Sequence, residues 1–258
     1  MSAAHAPNQQ TTPLPQCLFP DSHALANHAP TEFALNITRR EFCDRTGALV
    51  LAGAALGTLS PLFDFMPPAK AQTPSPAELA TPGPLGDMSM GAANAPVTII
   101  EYASMTCSHC AHFAEVTFPE LKKRYIDTGK VRYILREFPL DPLAAAGFML
   151  AHCAAKDAKD KYFAIVETLF LQQKLWVVQK PLEPLKTIAK QAGFTDQSFE
   201  QCLANQPVLD AIENVRVRGS EKFGVNSTPT FFINGKKLAG DLSIGDLEKE
   251  MQPYLKGG

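Results

Sequence analysis

The chain is short of the features that mark several whole classes of function. It has no surplus of positive charge: 24 Lys and Arg stand against 26 Asp and Glu, a formal net charge of -2, so nothing draws it electrostatically to nucleic acid. No phosphate-cradling glycine motif appears, and no internal repeat is apparent. Tryptophan is nearly absent, and the single Trp176 is read as packing. The uncharged stretch from Thr46 to Phe63 reaches only about the lower limit for crossing a bilayer and is interrupted by Gly, Ser and Pro. What remains is ordinary for a soluble globular protein of one or two domains: 258 residues, 45% hydrophobic and 19% charged, enough for a sizeable core.

Residues 1–71 do not read as part of the fold. A polar, Pro- and Ala-rich lead runs to residue 37; TRREF, Thr38 to Phe42, follows, and then the apolar run GALVLAGAALGTL from Gly47 to Leu59. Charge followed by a short apolar core is the pattern of an export signal, with Ala69-Lys70-Ala71 placing cleavage before Gln72. Arg39 and Arg40, with Phe42 two positions on, resemble a twin-arginine signal, although Cys43 and Asp44 depart from its usual ending and leave the general export route open. An uncleaved N-terminal anchor is the alternative. Either delivers the rest of the chain across a membrane, to the periplasm, where thiols oxidise. Residues 72–86, rich in Pro, Ala and Thr, read as a linker too short for a dimerisation domain, so a monomer is expected.

Cys17 and Cys43 leave with the lead, and Cys107, Cys110, Cys153 and Cys202 stay. Four cysteines pair in three ways, and sequence alone does not choose among them. The spacing ranks them. VTIIEYA, Val97 to Ala103, is apolar and β-branched, a buried strand; from Cys107 onward Cys110, Phe113, Ala114 and Leu121 recur at helical intervals, with Pro119 a kink and Ser104 or Thr106 a candidate cap. Cys107 therefore falls in the first turn of a helix, where unpaired N–H groups and the peptide dipoles favour a thiolate. Three positions on, Cys110 lies on the same face with Cα atoms about 5–6 Å apart, within reach of a disulfide, and is the better shielded. His109 is expected to donate to or charge-balance the Cys107 thiolate, the alternative being a solvated histidine at a loop edge. Glu101 sits in an otherwise apolar strand and can exchange a proton with Cys110, unless it is an edge-strand acid facing solvent.

Farther along, KVRYILREF, Lys130 to Phe138, reads as a second strand. FGVNSTPTFFINGKKLAG, Phe223 to Gly240, reads as a loop, a strand, a turn at Asn234-Gly235 and another strand, with Thr228-Pro229 a candidate cis bond. Between them, helices are predicted over Pro142 to Lys156, Lys161 to Leu171, Pro184 to Ala192, Asp196 to Asn205 and Val208 to Phe223, punctuated by Gly193 and Pro207.

The run APVTIIEYASMTCSHCAHF, Ala95 to Phe113, followed by GVNSTPTFFING, resembles the thioredoxin-fold thiol oxidoreductases and, within them, the exported DsbA family of disulfide-forming enzymes. The resemblance covers approximately Asp87 to the C-terminus and implies an α/β thioredoxin fold with an inserted all-helical domain: 87–139 first part, 140–222 insertion, 223–258 second part. It implies Cys107 as nucleophile, Cys110 as resolving thiol, Glu101 as buried acid, and Thr228 and Pro229 as the loop that meets an extended substrate. A low thiol pKa and an oxidising disulfide are the familiar properties of DsbA itself, so their direction here comes from the resemblance. Substrates would be unfolded exported proteins, with a membrane quinone-linked partner of the DsbB type reoxidising the pair and no cofactor. The pair encloses Ser-His where the best-known DsbA has Pro-His, which keeps a reductase or isomerase open beside the oxidase. Cys153 and Cys202, both in the insertion, are candidates for a second, structural disulfide of the kind some members carry, or else stay buried thiols. A non-catalytic metal module using Cys107, Cys110, His112 and His152 or Cys153 is disfavoured, because the downstream half lacks zinc-like spacing.

Overall fold

The computed structural model describes residues 74–155 and 159–255; the expected export signal and its cleavage point lie outside them. Strands β1 (Met88–Met90), β2 (Val97–Ala103), β3 (Val131–Glu137), β4 (Thr230–Ile233) and β5 (Lys236–Ala239) form a sheet in the order β1-β3-β2-β4-β5. β2 runs parallel to β3, from Val97 opposite Val131 to Ala103 opposite Glu137, and antiparallel to β4. A central strand covered on both faces has to be apolar nearly throughout, which explains VTIIEYA. Alternation sends Ile99 and Ala103 into the larger core and Ile100 and Tyr102 into the smaller one behind the sheet, so Glu101 falls on the larger-core face. The β4–β5 turn is tight, with Asn234 at φ 44 and Gly235 at φ 93, both in the left-handed region that such hairpins require.

The parallel β2–β3 pair needs a crossover, and a long helical segment supplies it: α2 (Ser108–His112), a π-helical turn (Phe113–Thr117), α3 (Phe118–Leu121) and a second π-helical turn (Lys122–Ile126). The helical path continues through Pro119, whose missing N–H falls just after the first wide turn. Cys107, not Ser104 or Thr106, is the N-cap. Those two hydroxyls are drawn elsewhere: Thr106 donates to Asp141 at 2.6 Å, and Ser104 accepts from the Leu140 N–H at 3.3 Å. Both bonds tie the cysteine turn to the start of the helices that follow.

Between β3 and β4 lie α4 (Pro142–Ala154), α5 (Lys159–Leu171), α6 (Gln173–Trp176), α7 (Leu182–Gln191), α8 (Asp196–Leu203) and α9 (Gln206–Phe223). Asp141 caps α4, accepting from the Ala144 N–H at 2.8 Å, and α9 stops at Gly224 in the left-handed conformation. Two helices begin two residues earlier than their prolines suggested, because a proline in the first turn removes a donor that has no partner anyway; Pro184 and Pro207 sit inside α7 and α9. α6 and the closing helix α10 (Ile244–Leu255) were not anticipated.

The expected linker over 72–86 is corrected by its described part. α1 (Pro76–Ala80) is fixed by a reciprocal Ser75–Glu78 capping box, and Leu79 is buried in the smaller core. Buried Arg136 on β3 requires acceptors and finds them there, donating to the Leu79 carbonyl at 2.7 Å and to the Thr81 carbonyl at 3.2 Å, besides pairing with Asp87. One apolar side chain, buried Arg136 and Arg218, which donates to the Glu78, Thr81 and Pro82 carbonyls, thus hold a segment whose composition looks flexible.

Candidate active site

Cys107 stands at the end of β2, half-buried at the N-cap of α2, and Cys110 is fully buried one turn on; both are unbridged. The Cys107 thiol is lowered to about 5: hydrogen bonding from Cys110 is the largest cause, burial opposes it, and the Thr228 side chain and the backbone N–H groups of Cys110 and His109 add to it. Burial pushes Cys110 the other way, well above the ordinary thiol range, reinforced by its bond to Cys107 and the negative charges of Glu101 and Cys107. Adjacent sulfurs are therefore polarised in opposite senses, one stable as a thiolate and one as a thiol.

Glu101 lies beneath them, 2% exposed, with the Tyr133 hydroxyl donating to its Oε2 at 2.5 Å. Burial raises it to about 8 against the lowering effect of Tyr133, helped by the charges of Cys107 and Asp241. The edge-strand alternative does not hold, since β2 is central. From the opposite side comes the turn before β4, where the Thr228-Pro229 peptide is cis and the Cys107 thiol donates to the Thr228 carbonyl at 3.2 Å. The Thr228 hydroxyl is buried with no hydrogen-bond partner among the described residues, and its side chain helps to lower the Cys107 thiol.

Residues 85–252 match the family described as Thioredoxin. A provisionally named protein-disulfide oxidoreductase of Rickettsia conorii is 32% identical over 174 residues, covering 66% of this chain and 61% of that protein, so the chain spans about six-tenths of the length of this relative. Disulfide bond formation protein D of Bacillus subtilis is 26% identical, over 67% of this chain and 78% of its own. The crystal structure of Wolbachia pipientis alpha-DsbA1 superposes with a TM-score of 0.65 at 33% identity, covering 70% of this chain and 96% of that one. The chain belongs to the DsbA family of thioredoxin-fold oxidoreductases.

In this DsbA-family chain the helical insertion reaches the cysteine turn through Gln173, which sequence reasoning missed. Its Nε2 donates to the Met105 carbonyl at 2.9 Å and the Cys107 carbonyl at 3.0 Å, so α6 holds the turn that carries the half-buried Cys107 sulfur. A buried glutamine is invisible in sequence because nothing local distinguishes it from a surface one. His109 reaches the sulfur through its backbone in this structure. Its imidazole is exposed and makes no hydrogen bond among the described residues, whereas its backbone N–H acts on Cys107, because the helix N-terminus points amides and not side chains at the sulfur.

Cys153 and Cys202 are bridged, their Cα atoms 6.1 Å apart, joining α4 to α8. The alternative metal set is not brought together: His112 pairs with Asp241 at 2.5 Å, His152 pairs with Glu137 at 2.8 Å, and Cys153 is in the disulfide. The Glu137–His152 pair, joined by the Tyr162 hydroxyl at 2.7 Å, is a buried polar cluster where β3 meets the insertion.

Proposed function

We propose that the protein is an exported thiol–disulfide oxidase that gives its Cys107–Cys110 disulfide to unfolded proteins newly translocated to the periplasm. A substrate thiolate attacks Cys107 Sγ; the Cys107–Cys110 bond breaks, and Cys110 leaves as a thiolate that takes a proton from Glu101. A second substrate thiolate then attacks the substrate sulfur of the mixed disulfide, and Cys107 leaves with the electron pair. The substrate gains a disulfide, the protein gains two electrons, and a quinone-linked membrane partner of the DsbB type removes them. Thr228 and Pro229 offer backbone to an extended substrate beside Cys107.

The observation that carries this reading is the opposed ionisation of the two sulfurs. Whatever stabilises the Cys107 thiolate stabilises the reduced protein, and so makes the disulfide readily surrendered. A buried acid near 8 suits proton exchange with Cys110 at neutral pH. Export is supported by the signal-like lead, and no described helix is long and apolar enough to cross a membrane.

Equilibration of the mature protein with reduced and oxidised glutathione tests the direction. An oxidase reaches half reduction at a potential well above that of thioredoxin, about -270 mV. A position at or below that value would remove the oxidase reading and leave a reductase. The Cys110→Ala variant mixed with a reduced, unfolded secretory protein should accumulate a covalent adduct through Cys107.

A further inference from the structure

Glu101 has a part in the proposed reaction, but the residue that holds it has none. Tyr133 stands on β3, two positions before Leu135, the residue paired with Glu101, and alternation puts its side chain on the same face. Its hydroxyl makes the one hydrogen bond that the Glu101 carboxyl has among the described residues. The ring is held by Phe118, centroids 4.9 Å apart, and by Phe163 at 6.4 Å, so the hydroxyl has little freedom to turn away. Glu101 and Tyr133 both line a small cavity of about 30 Å³, walled by Val166 and Phe170 and reaching the exposed Glu167. That is room for a water molecule or two. Neither cysteine lines it, so a proton can reach or leave the carboxyl without passing the sulfurs.

We propose that Tyr133 is a positioning residue for the proton step, its hydroxyl orienting the Glu101 carboxyl and stabilising the carboxylate as the proton moves between Glu101 and Cys110. The inference rests on the role proposed above for Glu101. When Cys110 resolves a mixed disulfide, its S–H proton passes to Glu101, the Cys110–Cys107 bond forms, and the outer sulfur leaves Cys107 as a thiolate with the electron pair. Glu101 then returns the proton to water in the cavity; in the opposite direction each transfer reverses. Tyr133 itself stays protonated, because burial and the neighbouring Glu101 charge push it well above the ordinary phenol range. The other groups acting on the pair are Cys107 and Cys110 from the crossover helix, Asp241 from the loop after β5, and Tyr162 and Glu167 from α5. β4 presents only Phe231 opposite Glu101.

Mixing the reduced full chain with oxidised glutathione and quenching in acid from pH 5 to 9.5 separates formation of the Cys107–glutathione adduct from its decay by Cys110. In the wild type, decay accelerates with pH as Glu101 ionises. Tyr133→Phe should move that midpoint upward and slow decay at pH 7 about tenfold, the loss of one hydrogen bond to a charged group, with adduct formation unchanged. Glu101→Gln should remove the pH dependence, and adding Tyr133→Phe to it should change decay by less than about twofold. Phe118→Leu loosens the ring but keeps the hydroxyl and should shift the midpoint by less than Tyr133→Phe does. An unmoved midpoint in Tyr133→Phe, an equal slowing in the Glu101→Gln background, or an equal shift from Phe118→Leu would each overturn the inference. If Glu101→Gln keeps the wild-type pH profile, the fault lies in the role given to Glu101, and the inference falls with it.

Discussion

The ionisation of Cys107 is the property on which the proposed redox chemistry turns, and it can be measured directly. With its midpoint at about 5, the sulfur carries about a hundred thiolates per thiol at pH 7, against about 3% ionisation for an ordinary cysteine at about 8.5. Cys110→Ala removes the donor that contributes most to this shift. Losing one hydrogen bond to a charged sulfur should lower the thiolate share at pH 5 from about one half to about one tenth. Thr228→Val removes a buried, otherwise unpartnered hydroxyl that favours the ionised sulfur, and its effect should run in the same direction and be smaller. The assay is the rate of iodoacetamide alkylation from pH 3.5 to 9, followed by mass. The midpoint is the quantity to compare, since a less basic thiolate is also an intrinsically slower nucleophile. A wild-type midpoint between 8 and 9, or a Cys110→Ala midpoint no higher than wild type, would refute the hydrogen-bond account.

Glu101 should also make stability depend on pH. Its folded value is raised from the ordinary 4.5 to about 8, so the stability of the neutral buried form is present below about 4.5 and is lost as pH rises toward 8. Glu101→Gln should therefore gain on the order of 3 kcal/mol in urea unfolding at pH 7 and little at pH 4; equal gains at both would contradict this. Removing both cysteines of the Cys153–Cys202 bridge, which closes 49 residues of chain, should cost up to about 4 kcal/mol by the chain-entropy estimate. The Cys107 alkylation midpoint should not move, and a shift there would show the two pairs to be coupled. His152→Leu leaves the buried Glu137 carboxylate with the Tyr162 hydroxyl as its remaining side-chain partner and should cost about 1.5–3 kcal/mol in the same unfolding assay. A loss below about 1 kcal/mol would mean that the Tyr162 hydroxyl alone satisfies the carboxylate.

Part of this was legible because it is local. The two cysteines, the strand before them and the change from alternating to helical periodicity lie within one short stretch, and hydrogen-bond geometry over a few residues dictates both structure and the relative exposure of Cys107 and Cys110. Except for the short α6, the insertion helices were legible for the same reason, with the starts of α5, α7 and α9 displaced by two residues. The short α1 and β1 were not, since three to five residues carry too little periodicity to be read.

By itself, then, the sequence determined which residues are proposed to carry the thiol chemistry and which elements present them. Only the tertiary structure decided what surrounds them: Thr228 meets Cys107 across 121 residues of chain, Gln173 across 66, and Tyr133 meets Glu101 across 32. It likewise chose the Cys153–Cys202 pairing and brought the His109 backbone amide onto the Cys107 sulfur. The physical reason is that acidity at a buried site depends on desolvation and on donors brought from distant segments, and these exist only once the sheet, the crossover helix and the insertion have packed together.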